Sequence, residues 1–240
     1  MPRRATASAT ISATAPTTAS SRNTPRDAET SAQAVARYVR RLVFEGTLTA
    51  GQRLPQDDIA EAVGVSRIPV REAIIALERE GWVHVVPHRG AFINALDDQA
   101  VLDRFALYGR FYGFAVTRAL QKMTPDDLDT LRKLADQLSK VSSAASFDRA
   151  NTLYMSTLVR LADSSRLRAV LRSTVQIVPG SFFGTVPSSI EIQKEGVAAI
   201  QAALEAGDES AAASAFAAVE NRHAREVIAM MHARRARLYT

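Results

Sequence analysis

Arg67 and Arg71 stand four residues apart in the stretch Gly64-Val65-Ser66-Arg67-Ile68-Pro69-Val70-Arg71-Glu72-Ala73-Ile74. Side chains at that spacing share one face of a helix. Each guanidinium can donate two parallel hydrogen bonds, to guanine O6 and N7 or to a phosphate. Near the start of an exposed helix such a pair suits base edges and phosphates in a major groove, and Ser66 and Ile68 complete the candidate contact set. A second group, His88-Arg89-Gly90, follows about twenty residues later. Gly90 permits close approach, and Arg89 suits a narrow, electronegative minor groove.

These side chains need a scaffold, and the flanking residues predict one. Gly64 supplies a permissive backbone for a turn between two helices. Ser66 is a suitable N-cap, and Pro69 falls in the first turn, where its missing N–H costs nothing. Ile74, Ile75 and Leu77 are expected to turn the other side of that helix, about 67–80, toward a core. Upstream, Val35, Val39, Leu42 and Val43 have helical spacing over 31–46, stopped by Gly46, and a second helix covers about 57–63. Downstream, 83–86 and 91–93 read as two strands joined at Pro87-His88-Arg89-Gly90. The order is that of a winged helix-turn-helix. Glu78 and Glu80 are expected to lie away from phosphates.

The 240 residues allow one large or two modest domains, and 47% hydrophobic content permits a sizeable core. No run of about 18 apolar residues implies a membrane span. With no cysteine there are no disulfides, thiolate metal sites or Cys nucleophile. The net charge of +5 does not itself argue for nucleic acid, because residues 29–95 hold eight Arg and eight acidic side chains. Residues 1–28 are rich in Ser, Thr and Ala, with four Arg and one Asp, and read as a disordered tail. The winged helix-turn-helix occupies 29–95 and an all-α region 96–240, so the fold class is mostly α with a small β-wing. From residue 97 helical periodicity predicts helices over 98–121, 125–141, 146–162, 165–178, 188–206 and 209–235. Thr124-Pro125 and Gly207-Asp208 mark starts and stops, and Pro179-Gly180 and Gly184 to Pro187 break the chain near 183. Neither a nucleophile–base pair nor a phosphate loop supports an enzyme.

The pattern G-V-S-R-x-P-V-R-E-A, then L-x-x-x-G-x-V and R-G-A-F, resembles the GntR family of bacterial transcription regulators over 31–95. The region 97–235 resembles the FCD ligand-sensing domain of the FadR-type subfamily. It carries an R-x-x-L motif at Arg104–Leu107 and the segment L-E-A-G-D-E-S-A-A at 204–212. The resemblance implies a cytoplasmic, nucleoid-associated bacterial homodimer that binds a palindromic double-stranded operator, probes no membrane, and acts as a repressor controlled by a small effector. A constitutive DNA-binding dimer, whose helical domain only dimerises, is the alternative. Some relatives carry an Arg where Asp57 stands, so one contact from the second helix is expected to be missing here.

Many FCD domains bind a divalent metal through an Asp, a His four residues later, and one His on each of two later helices. Those positions fall here on Asn151, Met155, Val197 and Val219. A thioether and two isopropyl groups cannot ligate such an ion, so no metal and no other cofactor is expected. Of the four His, His84 and His88 belong to the wing, and His223 and His232 are expected at a solvated helix surface. The substituted positions predict a largely apolar effector pocket formed by Tyr108, Tyr112, Asn151, Met155, Val197 and Val219. Phe105, Phe182, Phe183 and Tyr154 are expected to extend its wall. Tyr108 replaces a Glu that often follows R-x-x-L. Arg104, at a position where relatives often carry Arg, is implied to meet a carboxylate. A fatty acyl chain, an aromatic acid or a steroid fragment would suit such a pocket.

Overall fold

The computed structural model describes residues 29–173, 178 and 180–238. The tail 1–28, residues 174–177 of the expected helix over 165–178, and Pro179 lie outside the described residues. Within them the chain is mostly helical, with one two-stranded sheet.

Helix α1 (Ser31–Phe44) begins at a reciprocal cap, in which Gln33 N–H donates to Thr30 Oγ1 and Thr30 N–H to Gln33 Oε1. Its Val35, Val39 and Val43 are buried. Helix α2 (Gln56–Val63) ends at Gly64, whose φ of 72° makes the sharp turn into α3 (Arg67–Arg79). Strands β1 (Val83–Val86) and β2 (Gly90–Ile93) pair antiparallel, Val83 opposite Ile93 and Val86 opposite Gly90. Residues 51–54 run along the other edge of β2: Leu54 N–H donates to the Ala91 carbonyl (2.8 Å) and Ile93 N–H to that of Gln52 (2.9 Å). That edge is thereby covered, an arrangement the sequence pattern did not suggest.

Two details of α3 depart from expectation. Ile74 and Leu77 are buried, but Ile75 is 66% exposed. One residue is a 100° step around a helix, and here it carries Ile75 out of the core-facing arc. Ser66 holds the N-cap position with extended backbone, yet its hydroxyl makes no capping hydrogen bond. The far end of α3 is tied down by a fork: Arg40 of α1 donates through Nε and Nη2 to the Glu80 carboxylate at 2.7–3.0 Å. Glu78 accepts from Val85 N–H. Both carboxylates therefore serve the scaffold.

The helical region comprises α4 (Asp98–Leu120), α5 (Pro125–Ser139), α6 (Ala144–Leu161), α7 (Ser165–Ser173), α8 (Phe182–Thr185), α9 (Ser189–Glu205) and α10 (Glu209–Leu238). Asp97 caps α4, and Thr124 with Asp127 forms a reciprocal cap over Pro125 at the start of α5. Asp208 accepts from Ala211 N–H at the start of α10. The four-residue α8 has no counterpart among the expected helices. None of the described helices is long and apolar enough to cross a membrane.

One core lies within the bundle, around Leu131, Leu138, Phe147, Tyr154, Ile200 and Phe216. A second belongs to both parts of the chain. Val35, Val39, Leu77 and Trp82 of the winged helix share a buried cluster with Val101 of α4 and with Ala224, Val227 and Met231 of α10.

Close approach within the bundle makes unequal demands on its glycines. A Cβ on Gly196 of α9 would lie 2.0 Å from Val219 Cγ2, whereas one on Gly113 of α4 would sit 3.4 Å from Ala213 Cβ. Gly196→Ala is expected to lose about 1–2 kcal/mol, overpacking outweighing the better helix propensity of Ala. Gly113→Ala should be neutral or gain up to about 1 kcal/mol. Urea denaturation midpoints of the two variants check this ordering.

Candidate functional site: an arginine face and a bundle cavity

The exposed face of α3 begins where Gly64 turns the chain. Ser66, Arg67, Ile68 and Arg71 are all exposed, and Ile68 is 69% accessible despite its apolar side chain. Ser66, free of any capping role, leaves the first-turn N–H groups open, the arrangement that receives phosphates. Arg67 is not free. Its Nε lies 2.7 Å from Asp57 Oδ1 and its Nη2 donates to Asp57 Oδ2 at 2.9 Å. Asp57 therefore does more than leave a contact missing: it holds one edge of a candidate base-reading side chain.

At the wing tip His88 (φ 60°) and Gly90 (φ 103°) both have left-handed backbone. His88 and Arg89 are exposed, and the Arg89 guanidinium lies over the Phe92 ring at 5.8 Å. Arg53 joins them. Its Nε is 3.1 Å from where a Gly90 Cβ would stand, so any side chain at 90 would push the guanidinium aside. Sequence reasoning missed Arg53 because it belongs to the segment that pairs with β2, for which no strand pattern was visible. The structure thus brings Arg53, His88, Arg89 and Gly90 to one tip and Ser66, Arg67, Ile68 and Arg71 to one helix face.

A cavity of about 420 Å³ opens between α4, α6, α7, α8, α9 and α10, within the range of small-molecule sites. Arg104, Phe105, Tyr108 and Tyr112 come from α4, Asn151 and Met155 from α6, and Phe182 and Phe183 from α8. Two expected members are missing. Val197 and Val219 do not line the cavity; both are buried, with Val219 packed on Gly196. Tyr154 is likewise enclosed in the core.

The wall is also more polar than expected. Asp148, Gln193, Glu220 and His223 reach it, as do Arg168 and Arg172 of α7. His223 is not at a solvated surface: it is 3% exposed and sits among the rings of Phe105, Phe182 and Phe183. Its Nδ1 is 3.9 Å from the Glu220 carboxylate. Gln193 lies one turn before Val197 and His223 one turn after Val219. Polarity has moved one helical turn from the valines, and a four-residue offset in the sequence was the available signal.

The residues at the implied metal positions do not fit a divalent ion. Asn151 Oδ1 accepts from Gln193 Nε2 at 2.9 Å, Met155 offers only a thioether, and the two valines offer no donor. Among the described residues no group of three or more His, Cys, Asp or Glu side chains converges.

The cavity instead holds an unsatisfied cation. Arg104 Nη2 is buried without a hydrogen-bond partner. Burial pulls the Arg104 guanidinium below its usual range, and the charge of Glu80 in the Arg40–Glu80 fork opposes that pull. Tyr108 and Tyr112 pack edge to face at 5.1 Å. Burial pushes both phenols up, so they stay neutral donors at physiological pH.

Known proteins resemble both parts. The model of "Bacterial regulatory proteins, gntR family" matches residues 31–93, and that of the FCD domain matches 112–222. An uncharacterized HTH-type transcriptional regulator of Mycobacterium tuberculosis is 32% identical over 151 residues, 63% of this chain and 62% of that relative. The Nta operon transcriptional regulator of Aminobacter aminovorans is 28% identical over 125 residues, 51% of this chain and 60% of the relative. The matched stretch thus spans about three fifths of these relatives. Among solved structures, E. coli McbR/YncC superposes with a TM-score of 0.54 at 21% identity, covering 85% of this chain and 98% of that one. A GntR family member from Pseudomonas syringae gives 0.53 at 22%, covering 86% and 88%. At such identities these two superpositions speak for the fold alone.

Removing the unpartnered cation should trade stability for ligand. Arg104→Met is expected to raise the unfolding free energy by about 1 kcal/mol, the low end of the cost of an unsatisfied buried donor. The same variant should lose any small molecule that co-purifies with the wild type. Urea denaturation and native mass spectrometry read the two effects.

Proposed function

The chain belongs to the GntR family of bacterial regulatory proteins and carries an FCD domain, and from that premise we propose that it is a sequence-specific DNA-binding transcription regulator controlled by a small effector. The observation that carries the proposal is the exposed set Ser66, Arg67, Ile68 and Arg71 on α3, with His88, Arg89 and Gly90 on the wing beside β2. In this reading α3 enters a major groove and the wing reaches the adjacent minor groove or its phosphates. Arg71, which makes no ion pair among the described residues, supplies a full charge to DNA, and Arg53 adds a second one at the wing.

The protein acts as a homodimer in the cytoplasm, on a two-fold operator. One recognition helix spans only a few base pairs, and a dimer doubles the contacts on a palindrome. A bound dimer needs no further surface to block transcription, which favours a repressor.

The effector carries an anionic group and an apolar or aromatic body. The anion answers Arg104, and the body answers Phe105, Tyr112, Met155, Phe182 and Phe183. The constitutive alternative calls for a bundle centre filled by side chains; the cavity of about 420 Å³ with an unsatisfied guanidinium favours the sensor.

Gel-shift titration on an operator recovered from the bacterial genome tests the proposal. Arg67→Ala and Arg71→Ala should each weaken specific binding by about 1–3 kcal/mol, with unchanged circular dichroism. Operator binding as a monomer in light scattering, or wild-type affinity in both variants, would overturn it.

A further inference from the structure

Asp57 is an acidic residue on the side of the winged helix that carries the exposed arginines, where a negative charge works against phosphate binding. Its carboxylate forks the side of Arg67 through Nε at 2.7 Å and Nη2 at 2.9 Å, with both side chains about two-thirds exposed. An exposed pair of this kind adds little to stability. Its effect is on geometry and on charge.

The geometry is specific. A guanidinium presents two hydrogen-bonding edges to planar acceptors. Asp57 occupies the Nε–Nη2 edge. The Nη1–Nη2 edge remains, and that edge matches guanine O6 and N7 in two parallel bonds. A long side chain that would otherwise sample many rotamers is thereby held before DNA arrives, and the ordering cost is met in the free protein. On charge, the pair is neutral as a unit, so Arg67 keeps its donors but contributes little net attraction for phosphates of any sequence. Two other arginines of the winged helix, Arg37 and Arg40, are also paired, with Glu29 and Glu80.

We propose that Asp57 is a positioning residue for base reading: it holds Arg67 by one edge, aims the other at a guanine, and suppresses non-specific binding by cancelling its charge. The proposal rests on the DNA-binding reading above.

The test is selection from a pool of randomised 30-bp duplexes, with the full chain as wild type and as Asp57→Ala, Asp57→Asn, Arg67→Ala and Asp57→Ala/Arg67→Ala. Wild type should enrich a motif in which Arg67→Ala erases the preference at one guanine per half-site. At that guanine Asp57→Ala should lower the preference about two- to tenfold, as expected for losing one pre-ordered long side chain. Asp57→Asn, able to keep one of the two bonds, should fall between. Affinity of Asp57→Ala for a fixed non-motif duplex should rise, with a salt slope steeper by roughly one. Removing Asp57 in the Arg67→Ala background should leave every base preference unchanged. The proposal is overturned if Asp57→Ala binds all duplexes more tightly with every preference intact, since Asp57 is then only a repelling charge. It is also overturned if the loss falls on bases that Arg67 does not read. If wild type enriches no motif, the DNA-binding reading fails and this inference falls with it.

Discussion

The approach of α10 to α4 sets the frame on which both sites are hung. A Cβ on Gly109 of α4 would meet the backbone of Ala217 at 3.2 Å, and one turn on, Gly113 faces Ala213. The two axes can come this close because the seam is lined by residues with little or no side chain. The large groups are displaced to its flanks, where Tyr108, Tyr112, Glu220 and His223 border the cavity. Further along, α10 leaves the bundle core and gives Ala224, Val227 and Met231 to the core of the winged helix. A helix of 30 residues, about 45 Å long, thus carries a cavity wall at its middle and a domain contact toward its end.

The cavity and the winged helix also meet through charge. Arg104 projects from α4 with its Nη2 unpartnered, and Glu80, already forked by Arg40, is the nearby negative charge that most favours its ionised form. Glu80 closes α3, the helix whose opening turn carries Ser66 and Arg67. A ligand anion on Arg104 would therefore bring new negative charge toward the group that fixes the end of the arginine-bearing helix. With Asn151, Met155, Val197 and Val219 at the positions where relatives carry metal donors, the proposed effector would depend on this cation more than it would in a metal-centred site.

Local signals made most of the fold legible. Caps, breakers and periodicity located α1, α2, α3 and the hairpin within two residues, and α4, α5, α6, α9 and α10 within three. What escaped was decided by tertiary geometry. Ile75 looked like core because it adjoins Ile74, but only packing fixes where the buried arc ends. Helix α8 is a single turn, too short for any periodic signal. The segment beside β2 pairs through its backbone, which no side-chain pattern records. For the cavity, motif spacing pointed to Asn151 and Met155, which line it, and to Val197 and Val219, which do not. Spacing gives a position on a helix; once its side chain is a small aliphatic group, the tightest neighbour decides its fate, and for Val219 that neighbour is Gly196. The Asp57–Arg67 pair joins two helices across a turn whose shape depends on Gly64, so its carboxylate read only as an absent arginine.

The apolar cluster common to the winged helix, α4 and α10 has a mechanical meaning. Trp82 and Leu77 sit in the same packed interior as Val101 and Met231, and packed interiors resist shear and compress little. A head joined by a slack tether could be released or captured. A head that shares buried side chains with α4 and α10 moves with them. Under the proposed effector control of a dimer, a message from the cavity would travel as a tilt of α4 or α10, carried to the wing by leverage and read as the spacing of two heads.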